Sequence, residues 1–295
     1  MMGSPEEEKE CFNSHEGKEL AYSLRRSGAD RRVPVHFAGG FWIGRTTVTF
    51  EQWMAVVGSH PRPRDEYSRN GLPVNRINWN EAMSFCEKLN GLGLLPDGWR
   101  FTLPSEAQWE YACRAGTEGP YAGVSLDALG WFKGNSGGEL HPTAQKQANP
   151  WGIFDMHGNV FEHCLDWHDK YLNPDVSLQG KTPGVERSIR GGCFHYGAED
   201  CRSAYRRGLD DGAAHDDVGF RLCISPTVPK VGSAHPNAGA SYNQKSESAM
   251  IEAIKEQMSG GKITLEGANI LDRQREQLGI STDRYRALLK KVRGH

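Results

Sequence analysis

Between Phe37 and Cys223 the apolar runs are short, and Gly, Pro or Asn breaks each of them. That pattern argues against long helices, tandem repeats and a doubly wound sheet. It points to few regular elements joined by long ordered loops. Three helices are nevertheless legible. Thr49 and Gln52 have the spacing of a capping box, with Trp53, Met54 and Val57 on one side behind them. The segment 80–90 places Ala82, Phe85, Cys86 and Leu89 on one face at helical spacing. Ser105 and Gln108 form a second box, followed by Trp109, Ala112 and Cys113 facing inward, and Gly116 is placed to end that helix. The fold class expected is α+β with little regular secondary structure.

The flanks have a different texture. Residues 1–35 are charged and polar and are expected to be loosely ordered, with the main domain over 36–223. Residues 224–246 are rich in Pro, Ser, Ala, Asn and Gly and read as a linker. Residues 247–295 read as a small all-α appendage, with Met250, Ile251, Ile254 and Met258 in a first helical pattern and Tyr285, Leu288 and Leu289 in a last one. A core that small is marginal alone, so the appendage is expected to dock on a partner protein, on the main domain or on a copy of itself. Its basic residues alternate with apolar ones, which marks a solvated helix face and not a nucleic-acid contact.

Bulk properties exclude several classes. Apolar residues make up 37% of the chain, which is a globular share. The net charge of -2 gives no electrostatic attraction to nucleic acid or an anionic membrane. No apolar run approaches the length of a membrane span. The start MMGSPEEEKE carries no secretory pattern, so a cytoplasmic, reducing setting is expected. The 7 cysteines contain no CxxC pair, which argues against a zinc ribbon. Cys86 and Cys113 sit on apolar helix faces and read as small core side chains.

Several phrases, in order, resemble one family. They are FWIGRTTVTFEQW, LPVNRINWNEAMSFCEKLN, FTLPSEAQWEYACRAGT, NPWGIFDMHGNVFEHCLDW, RSIRGGCF, CRSAYRR and DVGFRL. Together they resemble the sulfatase-modifying-factor, or formylglycine-generating enzyme, domain over roughly residues 2–223. The resemblance implies a single compact domain with a C-type-lectin-like fold. Arg190, Arg202, Arg206 and Arg221 recur in its aromatic-rich part and read as buried guanidinium groups clamping carbonyls and carboxylates.

The resemblance also implies a site. Catalytic members bind copper(I) through two cysteines in the loop after Arg-Gly-Gly, because soft thiolates suit that ion. Here the second position is Cys201, but the first is Tyr196, and a phenol does not replace a thiolate. The serine after Gly-Gly is replaced by Cys193, and a tryptophan of the family by Phe161. Copper is therefore not expected, unless Cys193 takes the missing role beside Cys201. A related route, an iron site on helical histidines, finds only His15 and His36 in the N-terminal segment. The segment DMHGNVFE resembles the family's structural calcium loop, with Asp155 and Glu162 as carboxylate ligands and the carbonyls of Gly158 and Val160 as further oxygens.

The loop 193–218 mixes aromatic and polar side chains where the family builds its pocket. Phe161, Cys193, Phe194, His195, Tyr196, Tyr205, Asp210, Asp211 and His215 are the expected ligand-binding set for a small ligand or peptide. The functional expectation is a non-catalytic binding or adaptor protein, with this loop as surface and the 247–295 tail as partner dock. Two alternatives stay open: a copper- and oxygen-dependent thiol oxidoreductase, and a variable lectin-like protein of a diversity-generating retroelement.

Overall fold

The computed structural model describes residues 33–35, 37, 39–168, 186–227, 251–256, 258–259, 262–263 and 271. The expectations for residues 1–32, for most of the linker and for most of the tail lie outside the described residues. By internal contacts the chain divides into two units, Met1–Pro229 and Lys230–His295.

In the first unit each helix starts where a side chain satisfies the free N–H groups. Helix α1 (Phe50–Val57) is capped by Thr49, whose hydroxyl accepts from the Gln52 N–H while the Gln52 side chain returns to the Thr49 N–H. Gly58, at φ 84°, ends it. Helix α2 (Trp79–Asn90) has the same reciprocal cap from Asn78 and Glu81, one position before the expected start. Helix α3 (Glu106–Arg114) is capped by Ser105 and Gln108, and the left-handed residue that ends it is Ala115, ahead of Gly116. A short helix, α4 (Leu126–Leu129), follows.

Two small sheets complete the unit. Strand β7 (Cys223–Pro226) lies between β1 (Trp42–Ile43) and β2 (Trp99–Thr102), both antiparallel to it. The domain thus extends past the expected boundary at 223, because residues 224–226 pair in this strand. The second sheet runs in the order β5 (Arg207–Asp210), β4 (Glu186–Arg190), β3 (Phe161–Trp167), β6 (Val218–Gly219). Only the β3–β6 pair is parallel. Few regular elements in an α+β arrangement, as expected, carry long connections.

The buried side chains gather in separate clusters, two of which bear on the site. Trp53 from α1, Phe85 and Cys86 from α2, and Phe220 meet in one cluster, with Trp53 and Phe85 stacked at 5.4 Å. Phe161 and Ile189 from the second sheet meet Cys193, Phe194, Tyr205 and Val218 in another. Strand β3 is buried on both faces, so its polar residues Glu162, His163 and Asp166 are buried too and need partners. No helix among the described residues is long and apolar enough to cross a membrane.

The second unit departs from the all-α expectation. Residues 251–256 are helical, but β8 (Met258–Ser259) and β9 (Lys262–Ile263) form an antiparallel ladder. The Gly-Gly between these strands is a hairpin signal that outweighs the helical pattern of the preceding residues.

Candidate functional site

The loop after β4 is fixed by steric necessity. Gly191 and Gly192 have φ of 100° and 72°. A Cβ on Gly192 would lie 2.5 Å from the Cys201 Sγ and 2.9 Å from the Asp200 carbonyl oxygen. Only glycine lets the end of β4 press against the 3-10 turn Ala198–Cys201.

Buried ion pairs lock the segments around it, as the arginine pattern suggested. Arg206 grips Glu106 through two contacts, Nε–Oε1 at 2.6 Å and Nη2–Oε2 at 2.8 Å. Arg190 donates to Glu110 and to the Tyr205 carbonyl. Arg221 grips Glu162 at 2.6 and 2.7 Å and also donates to the Gly44 and Phe154 carbonyls. Burial alone would raise the Glu106 carboxyl, but Arg206 and Arg190 outweigh it and bring it down to about 2. Asp166 accepts the Glu106 N–H at 2.6 Å and makes no ion pair with any described residue. Burial, followed by the nearby Glu106 charge, pushes its carboxyl up to about 7.

The two cysteines that the family resemblance links to copper are packed in the core. Cys193 and Cys201 are both fully buried. Burial first, then acidic neighbours, push both thiols above their usual range: Asp217 for Cys193, and Asp200 with Glu199 for Cys201. The Cys193 thiol donates to Asp217 Oδ2 at 3.4 Å. Tyr196 is partly exposed, and its hydroxyl accepts from Arg207. Among the described residues no group of three or more His, Cys, Asp or Glu is placed to hold a metal.

Nearby His157 is held neutral. Its Nδ1 donates to the Cys201 carbonyl at 2.8 Å, while its Nε2 accepts from the Ala122 N–H at 3.1 Å. Burial lowers its pKa to about 4. It serves as a structural bridge to the 3-10 turn.

For calcium the two carboxylates differ. Asp155 has φ 56° and is buried; one oxygen accepts the Ala144 N–H at 2.7 Å, while Oδ1 is buried with no partner among the described residues. Burial raises its pKa. An uncommitted buried carboxylate oxygen fits a hard cation. Glu162 is engaged on both oxygens by Arg221, and Trp109 Nε1 adds a 2.6 Å bond. Gly158 is demanded by packing, since a Cβ there would lie 2.1 Å from the Trp131 carbonyl oxygen.

The expected binding set splits in two. Phe161, Cys193, Phe194 and Tyr205 are core residues, fully or almost fully buried, so they do not form a surface. The reason is that Phe161 lies on the doubly buried β3, and the loop folds its apolar side chains back onto it. His195, Asp210 and His215 are exposed, and Tyr196 and Asp211 are partly exposed. Tyr67, Tyr196 and Leu209 pack on the rim of that cluster. Arg207 joins them, with its guanidinium 4.9 Å from the Tyr196 ring centroid and 5.6 Å from that of Phe161. Tyr67 comes from a distant segment, and Arg207 follows three other arginines that are buried. No spacing rule singled out either residue.

Comparison with known proteins agrees with this architecture. Residues 15–226 match the family described as the sulfatase-modifying factor enzyme 1-like domain. The chain is 30% identical over 246 residues to the formylglycine-generating enzyme of Streptomyces coelicolor, covering 74% of this chain and 71% of that enzyme. It is 38% identical over 233 residues to the serine/threonine-protein kinase Pkn1 of Chlamydia trachomatis serovar L2, covering 67% of this chain but only 36% of the kinase. Among solved structures, Treponema denticola variable protein 1 superimposes with a TM-score of 0.57 at 28% identity, covering 63% of this chain and 84% of that one. The chain belongs to the sulfatase-modifying factor enzyme 1-like family, on whose C-type-lectin-like scaffold the Arg-Gly-Gly loop is built.

Proposed function

We propose that this domain is a non-catalytic binding module that recognises a peptide or protein partner through the exposed part of the 193–218 loop. One observation carries the reading. At the position where a catalytic relative needs a thiolate stands Tyr196, its hydroxyl already engaged by Arg207, while Cys193 and Cys201 are packed in the core with raised thiol pKa values. The exposed His195, Asp210 and His215, with partly exposed Tyr196 and Asp211, then form a mixed aromatic and polar surface on a rigid frame. The likeness to a variable protein of the same scaffold is in keeping with this use.

The test is peptide display against the whole chain, followed by affinity measurement on His195→Ala and Asp211→Ala variants. Both sites are at least partly exposed, so folding should hold. The reading expects selected peptides to lose at least about tenfold in affinity. Peptides that bind both variants as well as the parent would refute it.

The alternative, oxygen-dependent oxidation of a thiol, draws support from the likeness to a formylglycine-generating enzyme. It requires Cys193 and Cys201 to leave their packed states together.

Calcium is part of the proposal as a structural ion. Asp155 Oδ1 would supply one oxygen, the Gly158 and Val160 carbonyls two more, and Glu162 would be shared with Arg221. The ion would relieve the desolvated Asp155 charge and tie the loop before β3 to that strand.

A further inference from the structure

Several arginines in this domain have a carboxylate against them. Arg62 forks onto Glu81, Arg114 and Arg190 onto Glu110, Arg206 onto Glu106 and Arg221 onto Glu162. Arg207 does not. It is half-buried, lies against the faces of Tyr196 and Phe161, and makes no ion pair with any described residue. Among the described residues its guanidinium has one hydrogen bond, to the Tyr196 hydroxyl. Burial lowers the Arg207 pKa, but the Tyr196 hydrogen bond and then nearby groups, Asp217 last among them, outweigh burial and raise it; Asp217 itself accepts from the Cys193 thiol and makes no ion pair with Arg207. The guanidinium therefore keeps most of its five N–H donors unused.

The Tyr196 hydroxyl adds to this. It accepts from Arg207, so its own proton is left to point elsewhere, and it donates to no described residue. Two kinds of donor thus converge at the rim of the loop: guanidinium N–H groups and a phenol O–H. A partly desolvated cation with a second donor beside it is the arrangement that receives an oxyanion. The surroundings set the charge of that oxyanion. Asp210, Asp211, Asp216 and Asp217 lie in the same loop. Asp217 is close enough to act on the Arg207 charge, so a doubly charged phosphate would meet more repulsion here than a singly charged carboxylate. Tyr67 and Leu209 on the rim offer apolar contact for residues flanking it.

We infer that Arg207 and Tyr196 form a carboxylate subsite, which docks an acidic side chain or the C-terminal carboxylate of a peptide. This rests on the reading of the loop as a binding surface and names the chemistry that it recognises.

The test is a titration of the whole nitrogen-15-labelled chain, following the Arg207 Nε–Hε signal, which is assigned by its disappearance in Arg207→Gln. Four probes are used: N-acetyl-glutamate amide, which has only a side-chain carboxylate; N-acetyl-glutamine, which has only a terminal one; N-acetyl-glutamine amide, which has neither; and inorganic phosphate. The expected result is saturable movement of the signal with at least one carboxylate probe, none with the neutral amide, and at least about tenfold weaker binding of phosphate. Tyr196→Phe is expected to weaken the carboxylate several-fold. Arg207→Gln is expected to abolish the movement of the 193–218 backbone amides. If that variant fails to fold, Arg207→Lys decides, by keeping the charge and losing at least about tenfold with the fork. Equal responses to the carboxylate and neutral probes, phosphate binding as tight as carboxylate, or undiminished binding in the Arg207 variants would overturn the proposal. Display-selected peptides that depend on His195 but not on Arg207 would also sink the subsite, while leaving the binding module intact.

Discussion

Single residues in this domain are held by charge pairs inside the fold, and the pairs make different demands. Glu162 is fully buried, with Arg221 on both of its oxygens. Arg221→Met would strand that charge and is expected to cost about 3–5 kcal/mol, measured by denaturant unfolding. The double variant with Glu162→Gln should recover part of the loss, because no charge is then left unpaired. Asp166 works in the other direction. Its folded pKa, about 7, lies above that of the unfolded chain, so the fold favours its protonated form. Its contribution is fully present below about pH 4 and is lost as pH rises toward 7. Asp166→Asn should therefore stabilise more at pH 7.5 than at pH 4.5, by on the order of 1 kcal/mol or more. An equal effect at both values would contradict the assigned cause. Glu106 has the opposite sign: its pKa, about 2, lies below the unfolded value, so its support is present above about pH 4 and fades as pH falls toward 2. The arginines were legible in the sequence as buried clamps, but their partners were not. Glu106 and Glu110 sit in a helix where acidic residues usually face water, and only tertiary packing brings Arg190 and Arg206 onto them.

Elements were legible where the signal is local. The capping boxes at Thr49 and Ser105 mark the starts of α1 and α3 because both partners lie within one turn. Helix α2 begins one position before the segment 80–90 because the reciprocal bonds between Asn78 and Glu81 cap it there. Ser105→Ala is expected to cost about 1 kcal/mol in thermal or denaturant unfolding, since α3 carries Trp109, Glu106 and Glu110 into the core. A change below about 0.3 kcal/mol would mean that the cap is redundant with the core contacts. Strand β5 was read as loop because its pairing with β4 joins distant residues, and no local pattern announces that. Phe194 and Tyr205 turn inward, into the cluster with Phe161 and Ile189. Sequence reading put too many of the side chains of the loop on the surface.

On the scale of the whole molecule, the family blocks made the scaffold legible over most of the chain, and the match over residues 15–226 bears this out. What remained illegible was whether a residue in the loop faces solvent or core, which depends on packing against β3. Two predictions belong here. If calcium binds at Asp155, millimolar calcium should raise the melting temperature by several degrees over a chelated sample, and Asp155→Ala should abolish the shift. An unchanged melting temperature would remove calcium from the account. If the tail recruits a partner, deleting residues 247–295 should abolish capture of that partner while leaving peptide binding at the 193–218 loop intact.

The central claim is that the family scaffold is kept while its thiol site is packed shut. Copper(I) titration of the reduced, native protein, combined with thiol labelling, tests it most directly. The account predicts no stoichiometric copper(I) binding, and no labelling of Cys86, Cys113, Cys164, Cys193, Cys201 or Cys223 before unfolding, since all are buried. One equivalent of tightly bound copper(I), lost in Cys201→Ser, would contradict it and return the protein to the catalytic branch of its family.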